Sequence, residues 1–264
     1  MALFKTLFEE ADAEESVLAP HVRAAVLKEA RRRMEEHAEG RLGRFSASHG
    51  FDARVFDEGG LPPYVVEMGS ACSIAAYAQR AGVEPDLCSY EMEELGVVGE
   101  ALHVTFQRIL AAEGLLVDME REVAMPGVGD MFGHIDGIVP LGDEPVLDMK
   151  FPSHFSFGKV GLDPLPYSVA QMNVYLESTG KERGEFMYSD RDNPYRRKFV
   201  PCHRDERVVE AVREYCGVVR GWVEAAQAGG GEPDFGDWAD AGKWENCNKR
   251  LCAYVAWCKD RNGG

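Results

Sequence analysis

The spacing of apolar residues changes several times along the chain, and each change predicts an element. Leu3, Phe4, Leu7 and Phe8 form a short apolar stripe, and after Pro20 the residues Val22, Val26, Leu27, Ala30 and Met34 continue at helical spacing. This predicts two helices before residue 40, with the mixed charges of Lys28, Arg31, Arg32, Arg33, Glu35 and Glu36 on their solvated face. Residues 40–63, rich in Gly, Ser and Asp and ending Gly59, Gly60, Leu61, Pro62, Pro63, read as a connection. An N-terminal helical extension with its linker is thus expected over 1–63, ahead of a main domain over 64–264.

Helical spacing returns from Cys72 to Gly82 and from about Glu91 to Ala112, and then the period shortens. Residues 117–125, 132–139 and 145–151 are short β-rich runs punctuated by Gly and Pro, which predicts a three-stranded meander. A helix from about Tyr167 to Ser178, stopped by Gly180, is followed by strands near 184–189 and 197–201 and a helix from about Asp205 to Ala228. A tail rich in Cys and Trp ends the chain. This order predicts an α/β fold, a central mixed sheet flanked by helices.

Composition narrows the function. A hydrophobic share of 45% and a charged share of 28% are those of an ordinary globular protein, which argues against disordered and membrane classes. The net charge of -16 repels nucleic acid at long range, so any DNA function must rest on a local site. No apolar run approaches the roughly 18 to 20 residues of a membrane span, and the opening turns acidic too early for a secretory signal. A cytoplasmic location is expected, where seven cysteines serve as thiols or metal ligands rather than a disulfide framework.

The most informative segment is GHIDGIVPLGDEPVLDMKF, two predicted strands around the turn residues Pro140, Gly142, Asp143 and Pro145. A turn centred on Gly142 sets Asp136 across from Asp148 on one face of the sheet. Alternation adds Lys150 to that face and turns Leu147, Met149 and Phe151 to the other. Opposed carboxylates destabilise a sheet unless a cation lies between them, and oxygen ligands favour magnesium or manganese. Such an ion with an adjacent ammonium suits phosphodiester hydrolysis. The alternative is a solvated hairpin with a surface Asp-Lys pair. Gly99, His103 and Gln107 share one helical stripe, which makes His103 a candidate third ligand or a hydrogen-bonded core histidine. Gln171 and Tyr175 share another, beside the buried stripe Val169, Met172 and Leu176.

In order, GEALH (Gly99 to His103), GHID (Gly133 to Asp136), DMK (Asp148 to Lys150) and QMNVY (Gln171 to Tyr175) resemble the PD-(D/E)XK nucleases of the RecB-like branch, whose motifs run GxxxH, GxxD, (D/E)xK and QxxxY. The resemblance implies a restriction-endonuclease-like core. It implies that His103, Asp136, Asp148 and the carbonyl of Met149 bind the metal, that Lys150 is the catalytic lysine, and that Gln171 and Tyr175 position substrate. Glu120 or Glu122, on the preceding strand, is a further candidate.

The tail WENCNKRLCAYVAWC carries Cys247, Cys252 and Cys258, a concentration of thiols suited to zinc or an iron-sulfur cluster, with Cys72 as the candidate fourth ligand. This arrangement resembles the iron-sulfur exonucleases related to the CRISPR-adaptation nuclease Cas-four and to phage homologues, which implies a 4Fe-4S cluster stapling the tail to the nuclease core. The chain departs from their C-x2-C-x5-C pattern with C-x4-C-x5-C, a spacing zinc also tolerates. For Cys88, Cys202 and Cys216 the default is a buried thiol, with Cys202-His203 a weaker second metal option.

Local positive charge for DNA is sought in Arg191, Arg196, Arg197 and Lys198, with Lys181 and Arg183 nearby; the interspersed Glu182, Glu185, Asp190 and Asp192 make a solvated loop the alternative. The function expected from this resemblance is a metal-dependent DNA exonuclease acting on single strands or ends, in recombination, repair, phage replication or spacer acquisition, with a recombination or CRISPR-adaptation protein as partner. An endonuclease of the same fold and a non-catalytic DNA-binding adaptor are the alternatives.

Overall fold

The computed structural model describes residues 45–56, 60–68, 72–85, 90–193, 195–231, 233, 252 and 254–261. The expected N-terminal helices, Cys88 and Cys247 lie outside these residues. In chain order the elements are β1 (Phe45–Ser46), α1 (Pro63–Val66), α2 (Ser73–Arg80), α3 (Tyr90–Ala112), β2 (Arg121–Ala124), β3 (Met131–Ile135), β4 (Gly137–Ile138) and β5 (Val146–Lys150). They continue with α4 (His154–Lys159), α5 (Pro166–Thr179), β6 (Arg183–Ser189), β7 (Arg197–His203), α6 (Glu206–Ala225) and α7 (Val255–Arg261).

The strands form two sheets, ordered β1-β3-β2 and β4-β5-β6-β7. In the larger sheet β5 runs parallel to β6, and β4 and β7 are antiparallel to their neighbours. The expected meander is therefore divided. Its middle strand, predicted as one run over 132–139, stays with β2 as far as Ile135 and joins β5 from Gly137, and Asp136 stands at the break. Gly137 explains the crossing: a Cβ there would meet Leu116 Cδ1 at 2.5 Å and the Val117 carbonyl oxygen at 2.9 Å. Val117 bridges to Ile138 through paired backbone hydrogen bonds of 2.9 and 2.8 Å, while Asp118 and Glu120 take positive φ and turn the chain before β2 begins.

Helices cover both faces of the larger sheet. On one side α5 buries Val169, Met172 and Leu176, as the stripe predicted, against Val146, Phe186 and Tyr188. Fully burying a side chain such as Met172 or Leu176 contributes roughly 1.5–3 kcal/mol. Gly180 ends α5 in the left-handed conformation, φ 67°, a cap that glycine adopts without strain. On the other side Phe106 and Leu110 of α3 pack on Leu147, Met149 and Met187. Alternation along β5 thus works as expected.

The segment read as a connection does more than connect. Phe45, Ala47 and Phe51 are buried in the main core, and Asp52 accepts both the backbone N–H and the hydroxyl of Ser73 at 2.8 Å, tying this segment to the start of α2. Its Gly, Ser and Asp content concealed these apolar anchors. The short α4, with Ser153 as its N-cap, was not anticipated either. At the far end Trp257 of α7 packs against Tyr77 of α2, with ring centroids 6.4 Å apart.

Candidate active site

The register of β4 and β5, Gly137 with Leu147 and Ile138 with Val146, is the one expected for a turn centred on Gly142. Carried one step further it sets Asp136 beside Asp148. The same register would pair Met149 with Ile135, but Ile135 has left for the other sheet. The Asp136 carboxylate takes the place of the missing carbonyl, and its Oδ2 accepts the Met149 N–H at 2.5 Å. Asp136 Oδ1 faces His103 Nδ1 at 3.3 Å, and the edge of His103 rests on Phe151 with centroids 4.9 Å apart. Only 8% of Asp136 and 3% of Asp148 are exposed.

Lys150 joins this pair to α5. Its Nζ lies 2.8 Å from Asp148 Oδ2 and donates to Gln171 Oε1 at 2.7 Å, and Gln171 Nε2 donates to the Tyr175 hydroxyl at 2.7 Å. Gly133 makes the room: a Cβ there would stand 2.6 Å from Tyr175 Cε1 and 2.9 Å from Ala47 Cβ. The glycine of GHID and the tyrosine of QMNVY are thus two halves of one contact, which neither motif reveals by itself.

These surroundings set the charges. Burial, opposed by Lys150 and reinforced by Asp136, pushes the Asp148 carboxyl up from 3.8 to about 6. Burial alone would lower the pKa of His103, but its hydrogen bond and attraction to Asp136 carry it above the ordinary value. Burial, then the Asp148 charge, raises the Tyr175 phenol far enough that it stays protonated, which makes it a hydrogen-bonding spacer rather than a base. Because the folded pKa of Asp148 exceeds the unfolded one, its contribution to stability is complete below pH 3.8 and is lost as pH rises through about 6. In chelator, the thermal midpoint is therefore expected to decline across this window; an Asp148→Asn variant that keeps the full decline would refute the assignment.

Asp148 Oδ2 is buried and receives no hydrogen bond of good geometry despite the nearby ammonium. Carboxylate oxygens of this kind are the donors that magnesium and manganese prefer. Among the described residues, no group of three or more His, Cys, Asp or Glu stands close enough together to hold a metal ion. Gln107, read only as part of the His103 stripe, proves to be a brace: its buried amide donates to Glu120 Oε1 and to the Asp136 carbonyl at 3.4 Å. Glu120 thereby lies beside the site, whereas Glu122 pairs across the strands with His134. The i to i+4 spacing of His103 and Gln107 was the signal for this brace, and the turn that delivers Glu120 had none.

The basic patch divides. Lys181 and Arg183 pair with Glu144 at 2.7 Å and Asp143 at 3.4 Å, at the end of the sheet opposite Lys150. Arg197 lies 4.7 Å over the Phe106 ring, which stacks in turn on Phe151, and so reaches the site. Lys198 donates to the carbonyls of Phe157 and Val160, and Arg191 donates its backbone N–H to Pro152. Cys202 and His203 point to opposite faces of β7, buried and exposed, so together they cannot chelate one ion. Cys202 and Cys216 are buried, as expected, and burial pushes each thiol up to about 12. Cys72 precedes α2 as its N-cap, while Cys252 and Cys258 are half-buried at the other end of the chain.

No protein-family pattern matches the chain. No curated protein matches it either. Among solved structures it is similar to LHK-Exo in complex with dAMP, with a TM-score of 0.52 and 20% identity over 74% of this chain and 97% of that one. It is also similar to the alkaline exonuclease LHK-Exo from Laribacter hongkongensis, with a TM-score of 0.49 at the same identity and coverage. The crystal structure of SSO0001 gives 0.47 at 16% identity, over 75% of this chain and 87% of that one. The first likeness establishes the fold class: a mixed α/β core flanked by helices, shared with an exonuclease.

Proposed function

We propose that this protein is a divalent-metal-dependent deoxyribonuclease of the PD-(D/E)XK superfamily, RecB-like branch, that removes nucleotides from DNA ends or single strands. The observation that carries this reading is Lys150, its ammonium shared between the buried Asp148 and Gln171 where the chain crosses between sheets at Asp136. The fold it shares with an exonuclease solved with dAMP supports the same reading. Asp136, Asp148, His103 and the carbonyl of Met149 would hold magnesium or manganese, which when bound supplies Lewis acidity toward a phosphate and a water. Lys150 places a positive charge where negative charge develops on the phosphate oxygens. Gln171 fixes that ammonium, Tyr175 fixes Gln171, and Phe151 with Asp136 holds the His103 ring.

A 4Fe-4S cluster on Cys72, Cys247, Cys252 and Cys258, with zinc as the less favoured occupant, belongs to the same proposal. The packing of Trp257, beside Cys258, on the helix that follows Cys72 supports it. About four irons per chain after anaerobic purification would bear it out, and a single zinc would move the protein away from the iron-sulfur nucleases. The host process would be recombination, repair, phage replication or spacer acquisition, with a protein partner from that process. No helix among the described residues is long and apolar enough to cross a membrane; a cytoplasmic site of action is part of the proposal.

The test is end-labelled linear DNA with magnesium or manganese. Mononucleotide release that stops in EDTA, with closed circular DNA left intact, is expected. Cutting of the circle would instead make the protein an endonuclease, and no hydrolysis with either metal would overturn the nuclease reading.

A further inference from the structure

A second polar cluster lies past the end of β5. His154 follows Lys150 by four residues, at most about 14 Å of extended chain. Because β5 and β6 are parallel, with Lys150 beside Tyr188, Asp190 emerges at the same end of the sheet. His154 Nδ1 stands 2.7 Å from Asp190 Oδ2. Asp190 is fully buried and also accepts the Asp192 N–H at 3.0 Å and Arg196 Nη1 at 3.4 Å. Burial would raise its pKa, but the hydrogen bonds from His154 and the backbone hold it below the usual carboxylate range. A carboxylate only accepts, so His154 Nδ1 is the donor in that contact, and Arg196 Nη1 lies 3.3 Å from the same nitrogen, which places the guanidinium beside the ring.

Keeping an ionised carboxylate out of water is costly. Here it orients a ring whose side chain is 62% exposed, besides holding the turn through the Asp192 N–H. The neighbouring Phe155 is 74% exposed, with Lys159 Nζ 4.5 Å from its ring centroid on one face. The cations Arg196 and Lys198 lie 5.1 and 4.9 Å from the centroid of Phe157 in the same helix. Asp192 is the one exposed acid in the cluster, and its Oδ2 accepts the His154 backbone N–H at 2.9 Å. A guanidinium held at Asp190 near an open aromatic face matches the phosphate and base of a nucleotide.

We propose that Arg196 and Phe155, set in place by Asp190 and His154, form a nucleotide subsite for single-stranded DNA: Arg196 takes a backbone phosphate, and a base stacks on Phe155. This deepens the nuclease reading and rests on it for the identity of the strand, but its test does not depend on hydrolysis. Binding of labelled oligothymidylate, and of an abasic strand of equal length, is measured by anisotropy in EDTA, with each variant's thermal midpoint confirming its fold. Phe155→Ala is expected to weaken oligothymidylate binding about tenfold and leave the abasic strand unchanged. Arg196→Ala and Arg196→Gln are expected to weaken both strands and to make binding less salt-dependent, by roughly 0.7 in the logarithmic slope. Dissociation constants within twofold of the parent for all three variants would overturn the subsite, as would a parent that binds no single strand. Lost binding in a protein that hydrolyses nothing would keep the subsite and sink the nuclease reading; normal binding in an active nuclease would do the reverse.

Discussion

Replacing Lys150 by Ala is expected to slow DNA hydrolysis by about 10²–10³-fold under single-turnover conditions at saturating metal, the usual cost of removing a group that meets developing charge. DNA binding should change little, because Lys150 is one cation and Arg196, Arg197 and Lys198 remain. The variant also strips Asp148 of the partner that lowers its pKa, so the carboxyl titrates still higher. Lys150→Arg should rescue poorly. A planar guanidinium does not fit the point between Asp148 and Gln171 where an ammonium sits, 2.8 and 2.7 Å from their oxygens. A Lys150→Ala rate within threefold of the parent would remove the lysine from the chemistry.

The second large effect concerns packing. Gly133→Ala places a methyl 2.6 Å from Tyr175 Cε1 and 2.9 Å from Ala47 Cβ, and neither neighbour is the loose end of a flexible chain. Both are buried, Ala47 at 0% and Tyr175 at 3% exposure. Overpacking of this kind costs about 1–3 kcal/mol, and relief by moving the Tyr175 ring would break its hydrogen bond to Gln171 and loosen Lys150. Denaturant unfolding should therefore show lost stability together with lost activity. Tyr175→Leu in the same chain should recover part of the stability but none of the activity. Strict additivity of the two substitutions would mean that the contact does not exist.

The parts of the site that could be read in advance are those governed by local periodicity. The turn residues around Gly142 set the β4-β5 register, and a period of two then set which of Asp148, Met149 and Lys150 share a face. A period of 3.6 put His103 with Gln107 and Gln171 with Tyr175. The Gly180 stop and the buried stripe of α5 were legible for the same reason. The cations near one another in the sequence are divided in space, because nearness in sequence does not locate the end of a strand: Lys181 and Arg183 lie at the start of β6, whereas Arg196 and Arg197 follow its end.

The sequence by itself determined the longer helices and the main strand runs, their faces and the chemistry available on each, because these follow from side-chain type and backbone repeat within a few residues. Only the tertiary structure decided that Asp136 sits at a break between two sheets, that Gly133 exists to admit Tyr175, and that Phe45 to Phe51 belong to the core. It also decided that Glu120 arrives through Gln107 and that Asp190 is buried beneath His154. Each of these depends on contacts between segments distant in the chain, where packing density and the need to satisfy buried polar groups choose among arrangements that local patterns leave equally open.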